Sequence, residues 1–345
     1  MRRLKTNDAE WLWTELAHAV GRDAPLPEAL KDLALAEGET RRGEAADYLA
    51  RAISDGMTLA QAVSEREDVF GRGAGGSLQA GEESGRLCEV LEGLAETTRS
   101  SRSFRREISS AIAYPVAIAL AAFALIVLIN VRISPALAGI AIELDVHVPD
   151  AVKQLPLFVQ VESFCLLFGP AIALIVLYLI PGGRLPFQYV LDDLRLRAPL
   201  TGGFLRKFLL ARWCGYAGML FRAGVPAPRA VRLAGRSTGN LSVEEMTRDV
   251  AQRVEQGMSL PDAMDGEGFF PPTLAWMLRS SEAAGGDAHV WSVAEDMYAA
   301  AARWSSLIVS VVLRLLFAVL AFQVVGATVY SMMAPLISLM NSIGG

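Results

Sequence analysis

Between Glu107 and Arg132 the chain runs for 24 residues, Ile108–Val131, without a charge. A helix needs about 20 predominantly apolar residues to cross the hydrocarbon core of a bilayer. A second uncharged run, Ser163–Gly183, covers 21 residues and closes on Ile180-Pro181-Gly182-Gly183, a helix stop. A third opens after Arg303 and reaches the C-terminus with only Arg314 inside it. Buried core helices seldom run so far with no charge on any face. A span in lipid must satisfy its backbone internally, and an isolated one does so as a helix. The sequence therefore predicts three transmembrane helices, at 108–131, 163–183 and 304–334.

Composition agrees with that expectation. Hydrophobic residues make up 52% of the 345 and charged ones 20%. Disorder requires the opposite balance. A net charge of −5 shows no basic excess for nucleic acid. Cys88, Cys165 and Cys214 lie too far apart in sequence for a CxxC pair, so neither a disulfide framework nor a zinc site is expected. No apolar run follows the basic N-terminus, so no secretory signal is expected.

Basic residues orient the spans. Arg99, Arg102, Arg105 and Arg106 precede the first; Arg184, Arg195, Arg197, Arg206, Lys207 and Arg212 follow the second. The 132–162 segment carries Glu143, Asp145, Asp150 and Glu162 against Arg132 and Lys153. This places the N-terminus and 184–303 in the cytoplasm, with 132–162 and a short tail, 335–345, outside. Glu143, Asp145 and Asp150 either solvate that external segment or bind a hard cation. Arg314 either snorkels to the cytoplasmic face or meets a carboxylate or lipid phosphate.

Residues 1–107 and 184–303 both have helical periodicity. Trp13, Leu16, Ala17 and Val20 share one face; so do Leu26, Ala29, Leu30 and Leu33, then Ala46, Leu49, Ala50 and Ile53, then Leu87, Val90, Leu91 and Leu94. Gly56 supplies a stop and Thr58 a cap for the next helix. No stretch alternates long enough for a strand. The segments also correspond to each other. Ala24-Pro25 and Gly56-Met57-Thr58-Leu59 recur 201 positions later as Val225-Pro226 and Gly257-Met258-Ser259-Leu260. Phe70, Glu82, Gly85 and Val90 recur 200 positions later as Phe270, Glu282, Gly285 and Val290. Such self-similarity marks a duplicated unit. The expected fold is all-α: two repeated cytoplasmic helical bundles plus three transmembrane helices, the one at 163–183 joining the repeats. A direct repeat needs that odd helix to keep both bundles on one side.

The motifs point to a family. Gly81-Glu82-Glu83-Ser84-Gly85-Arg86-Leu87 has the form Gly-Glu-x-Ser-Gly-x-Leu, and Gly56-Met57-Thr58-Leu59-Ala60-Gln61-Ala62-Val63 the form Gly-x-Ser-Leu-x-x-Ala-Leu. With Tyr114-Pro115, Ala198-Pro199-Leu200, Gly224-Val225-Pro226 and Phe270-Pro271 in this order, nearly the whole chain resembles the type II secretion system F family, the inner-membrane platform proteins shared with type IV pilus machines. The chain departs from the pattern at Gly21-Arg22-Asp23-Ala24-Pro25, at Phe70-Gly71 and at Ser281-Glu282-Ala283-Ala284-Gly285.

The resemblance implies a non-enzymatic platform in the bacterial inner membrane that couples a cytoplasmic assembly ATPase to pilin or pseudopilin assembly for protein export. Its implied partners are that ATPase, pilin-like subunits, other inner-membrane platform components, further copies of itself and membrane lipid. Gly81, Glu82, Glu83, Ser84 and Gly85, with Glu282 and Gly285 in the second repeat, form the candidate partner-interface or turn motif. Either the glycines permit a tight turn and Glu82 caps or pairs locally with Arg86, or the carboxylates face a partner. No catalytic residue, cofactor or metal site is expected. His18, His147 and His289 lie in separate segments, and HExxH, GxSxG and GxxxxGK[ST] motifs are all missing. A membrane subunit of a transporter or channel is the alternative. Three spans are few for a pore, and Asn130 and Arg314 give these little mid-membrane polarity.

Overall fold

The computed structural model describes residues 4–102, 202–284 and 289–305, with single helical positions at 117, 121, 124, 192, 196 and between 307 and 333. Every regular element among the described residues is helical. The chain divides into two compact units, Met1–Arg106 with Gly182–Ser305, and Glu107–Pro181 with Ser306–Gly345. Most of the second unit, and with it the predicted spans at 108–131 and 163–183, the 132–162 segment and most of 304–345, lies outside the described residues. Among the described residues no helix is long and apolar enough to cross a membrane.

The first unit is built from two helical series. The first comprises α1 (Thr6–Gly21), α2 (Leu26–Glu37), α3 (Arg41–Ser54), α4 (Leu59–Glu65), α5 (Glu67–Phe70), α6 (Ala74–Ser84) and α7 (87–102). The second comprises α8 (Gly202–Arg222), α9 (Ala227–Ser237), α10 (Leu241–Glu255), α11 (Leu260–Met264), α12 (Pro272–Ala283) and α13 (289–305).

Local chemistry sets the helix ends. Pro25 and Pro226 both precede a helix as its N-cap. Thr40 Oγ1 and Asn240 Oδ1 accept the N3 backbone N–H of α3 and α10, at 3.2 and 3.1 Å. Thr58 and Gln61 form a full capping box on α4, and Ser259 caps α11 in the same place. Gly56 and Gly257 both take a φ of 94°, a left-handed conformation that L side chains resist. At the turn before α2 the first series has Asp23 at φ 53° where the second has Gly224 at 75°. Asp tolerates this region better than most residues, so the departure from Gly-Val-Pro leaves the turn intact.

The apolar faces read from the sequence reach the core, with Val20, Leu26, Leu33, Ile53 and Leu87 only partly buried against it. Leu12, Trp13 and Leu16 of α1, Leu30 of α2, Ala46, Leu49 and Ala50 of α3, and Val90, Leu91 and Leu94 of α7 enter one core with Trp213, Met219, Val231, Val250, Leu274 and Trp291. In each series a tryptophan of the first helix meets a phenylalanine: Trp13 and Phe70 at 6.2 Å between centroids, Trp213 and Phe270 at 4.8 Å.

The two series meet where α6 lies on α8 and α9, and where Gly93 of α7 faces Met219 of α8. Glycines set the approach. A Cβ at Gly76 would stand 2.6 Å from Leu233 Cδ2, and one at Gly73 would collide with Ser237. Ion pairs rim the contact: Arg229 with Glu83, Arg236 with Glu67 at 2.8 Å, and Arg72 with Glu244 at 3.0 Å.

Candidate interaction site

Each residue of the 81–87 motif has a separate structural task. Gly81 lets α7 close onto α6, since a Cβ there would lie 2.9 Å from Val90 Cγ2. Glu82 Oε1 accepts the backbone N–H of Ala60 at 3.1 Å. That N–H is one of the donors that the first turn of α4 leaves unpaired, and a carboxylate is favoured at this end of a helix. Ser84 Oγ donates to the Gly81 carbonyl at 3.3 Å. Gly85 ends α6 at φ 68°, with Arg86 N–H bonded to the Gly81 carbonyl and Gly85 N–H to that of Glu82. That bond pair is a Schellman stop, which favours glycine at its left-handed position.

Glu83 and Arg86 point to the second series. Glu83 receives Arg229 and, within its own helix, Gln79 at 2.9 Å. The bond to Arg229 holds the Glu83 carboxyl below its ordinary range and raises the guanidinium. Arg86 donates to the backbone carbonyl of Arg222. Within the chain, Gly81, Glu82, Ser84 and Gly85 make a turn and a cap, while Glu83 and Arg86 bridge the two series.

The second series differs for a visible reason. Glu282 is exposed, and Gly285 lies outside the described residues. Pro261 occupies the α11 position that matches Ala60 and has no N–H to offer Glu282. The join between α11 and α12 is made instead by Arg279, which pairs with Asp262 at 2.7 Å and Asp265 at 2.9 Å. Arg279 holds the Asp262 carboxyl low, behind a larger contribution from the Ser259 hydroxyl.

Two features escape the motif search. Arg229 and Arg236 form one edge of α9, and their acidic partners are more than a hundred residues away in sequence. The signal available was a basic stripe with no acid on its own helix. The other is Glu295, on the α13 face that also carries the buried Trp291, Ala294 and Tyr298. A Cβ at Gly215 of α8 would stand 2.8 Å from its Oε1. Burial, then the charges of Asp296 and Glu96, push its carboxyl up to about 7 against the opposing pull of Arg222. Its place in the period of the apolar stripe was the legible clue.

His18 lines a cleft of about 200 Å³ between α1 and α7 with Glu10, Thr14, Glu92, Glu96 and Arg99. Among the described residues no cluster of three or more His, Cys, Asp or Glu side chains could hold a metal ion. Burial drives the Cys214 thiol well above its usual range, away from the reactive thiolate.

Comparison with known proteins gives this architecture its context. Type II secretion system protein F of Pseudomonas aeruginosa is 29% identical over 82% of this chain and 71% of its own length. The protein of the same name from Vibrio cholerae is 25% identical over 82% and 70%. Type IV pilus assembly protein PilC of Thermus thermophilus is 28% identical over 78% and 68%. Residues 14–135 and 213–335 each match the family described as type II secretion system protein F, so the chain belongs to that family.

Proposed function

We propose that this chain is a non-enzymatic, multi-pass platform protein of the bacterial inner membrane, coupling a cytoplasmic assembly ATPase to pilin-like subunits in a type II secretion or type IV pilus-like machine. Its three spans are those at 108–131, 163–183 and 304–334, with both helical series on the cytoplasmic side as duplicated units and the C-terminus outside. The observation that carries this reading is the double family match, once on each series and the apolar segment after it. Relatives named for secretion and for pilus assembly fit either machine. Leu307, Ile308, Val311, Leu315, Val319 and Phe322 are helical positions with exposed side chains, and such a run suits lipid better than water.

The two series share one core and are pinned by Gly73, Gly76 and three ion pairs, so a push on one is passed to the other. Helix α7 is unbroken to residue 102, six positions before the first span begins. In the proposed mechanism the ATPase moves the helical unit, and α7 and α13 carry that motion to the spans.

The test is co-purification. Full-length chain extracted in mild detergent should retain a cytoplasmic assembly ATPase of the same cell. A Gly-Pro pair inserted after Thr98 should leave that binding intact and abolish secretion or piliation. Loss of neither overturns the coupling, and failure to hold any such ATPase overturns the platform reading.

A further inference from the structure

Most arginines of the second series meet a carboxylate. Arg229, Arg232, Arg236, Arg248, Arg253 and Arg279 each pair with an aspartate or glutamate. Arg212 lies over the rings of Phe208 and Tyr216, and the charge of Arg222 acts on Glu295. Arg206 and Lys207 of α8 stand apart: among the described residues both bond only to neutral oxygens. Arg206 Nε donates to the Phe269 carbonyl at 3.2 Å, and Lys207 Nζ donates to Ser305 Oγ at 2.8 Å. The Ser305 hydroxyl donates onward to the Ala301 carbonyl at 2.9 Å, so its oxygen is the acceptor for Lys207. These bonds hold both side chains in place and use one N–H of each, leaving the Nη groups of the guanidinium and the rest of the ammonium. Both residues are half-buried. A cation drawn partly out of water is stabilised by an opposite charge close by, and the described residues supply none.

The place of this pair in the fold says what the opposite charge is. Ser305 continues the stripe of α13 that buries Trp291, Ala294, Tyr298 and Ala302. Trp304 beside it is 69% exposed. Leu307 and Ile308 then open the run of exposed apolar helical positions. Indole rings collect at the headgroup level of a bilayer, next to the apolar run. An anion that meets Arg206 and Lys207 at that level is a lipid phosphate. A soluble phosphate gains nothing from Trp304 or from the apolar positions after it. The flat arginine fork pairs with two phosphate oxygens, and the lysine adds a point charge. Two cations facing one headgroup repel the ammonium of phosphatidylethanolamine and so favour a headgroup of net negative charge.

We propose that Arg206 and Lys207, beside Trp304, form a binding site for the phosphate of an anionic phospholipid in the cytoplasmic leaflet. Lys207 already joins α8 to the last turn of α13, so a lipid bound there seats both helices at the membrane surface. The proposal rests on the reading of 304–334 as a span entered from the cytoplasm.

The experiment reconstitutes the full-length chain in phosphatidylethanolamine nanodiscs doped with phosphatidylglycerol that carries a diazirine in its headgroup. A phosphatidylethanolamine probe with the same diazirine runs in parallel. Support is selective labelling by the phosphatidylglycerol probe of peptides covering 202–212 or 303–308. Arg206→Gln with Lys207→Gln should lower that label roughly thirtyfold, the weight of two basic residues at an anionic surface. Arg206→Lys with Lys207→Arg keeps both charges and should keep most of the label. Lys31→Gln, on the exposed side of α2, should leave it unchanged. In the unaltered chain, unlabelled phosphatidylglycerol should displace the probe and inorganic phosphate should not. Equal labelling by the two probes, displacement by inorganic phosphate, an undiminished label in the double glutamine variant or an equal loss in Lys31→Gln would each overturn the proposal. Alkaline carbonate extraction checks the span by itself. A chain released from membranes loses both readings, whereas a chain that stays and shows no selective label loses the lipid site alone.

Discussion

Glu82 Oε1 and the backbone N–H of Ala60 are bonded at 3.1 Å across 22 residues of sequence. The acidic residue of the Gly81–Leu87 motif thereby caps a neighbouring helix, and α4 and α6 are fastened at the point where α4 begins. In the second series Pro261 abolishes the donor, Glu282 faces solvent, and Arg279 with Asp262 and Asp265 makes the fastening.

Glu82→Ala should therefore destabilise the helical unit by about 1 kcal/mol, as the loss of a helix cap does. Glu282→Ala should leave the midpoint unchanged. Denaturant titration of the two variants by circular dichroism makes the comparison. Equal effects would remove the distinction between the series.

Gly85→Ala should cost about 1–2 kcal/mol, because φ is 68° there and a Cβ resists the left-handed region. Gly81→Ala acts by a different route, crowding Val90 from 2.9 Å, and should cost about 1–3 kcal/mol. Val90→Ala added to Gly81→Ala should cost less than the two separate losses together. It should bring no such relief to Gly85→Ala.

Glu83 and Arg229 join the two series, so Arg229→Glu should speed amide hydrogen exchange in α6 and α9. Restoring opposite charges with Glu83→Arg in the same chain should return part of the protection. The Glu83 carboxyl is held low by Arg229, so its contribution is present above the ordinary carboxylate range. It fades as pH falls through the depressed value.

Glu295 behaves in the opposite sense. Its carboxyl, raised to about 7, keeps a proton in the folded protein that the unfolded chain releases near 4.5. The folded state is therefore favoured below pH 4.5, loses stability as pH rises to 7, and carries the whole penalty above that. Glu295→Gln should raise stability at pH 8 by about 1–2 kcal/mol, after allowance for solvent screening, and leave it unchanged at pH 4. A shift of equal size at both pH values would show that packing, and not charge, is responsible.

The sequence by itself determined the local structure of this protein. Helical periodicity named Trp13, Leu16, Leu49, Ala50, Val90 and Leu91 as core, because a 3.6-residue repeat admits one buried face. Gly56 and Thr58 announced a stop and a cap because left-handed backbone and an unpaired N–H each select few residue types. The constant offset pointed to a duplication, and the motif order disclosed the family. Only the tertiary structure decided what the motif residues touch. Whether Glu82 caps and Glu83 bridges depends on where the α4 N-terminus and Arg229 lie in space, and sequence spacing carries no such information. Likewise the near-identical periodicities of α6 and α12 do not tell which is covered. Gly76 lies beneath Leu233 while Trp276 is open, because which helix a neighbour covers is set by tertiary packing and not by the helix's own period.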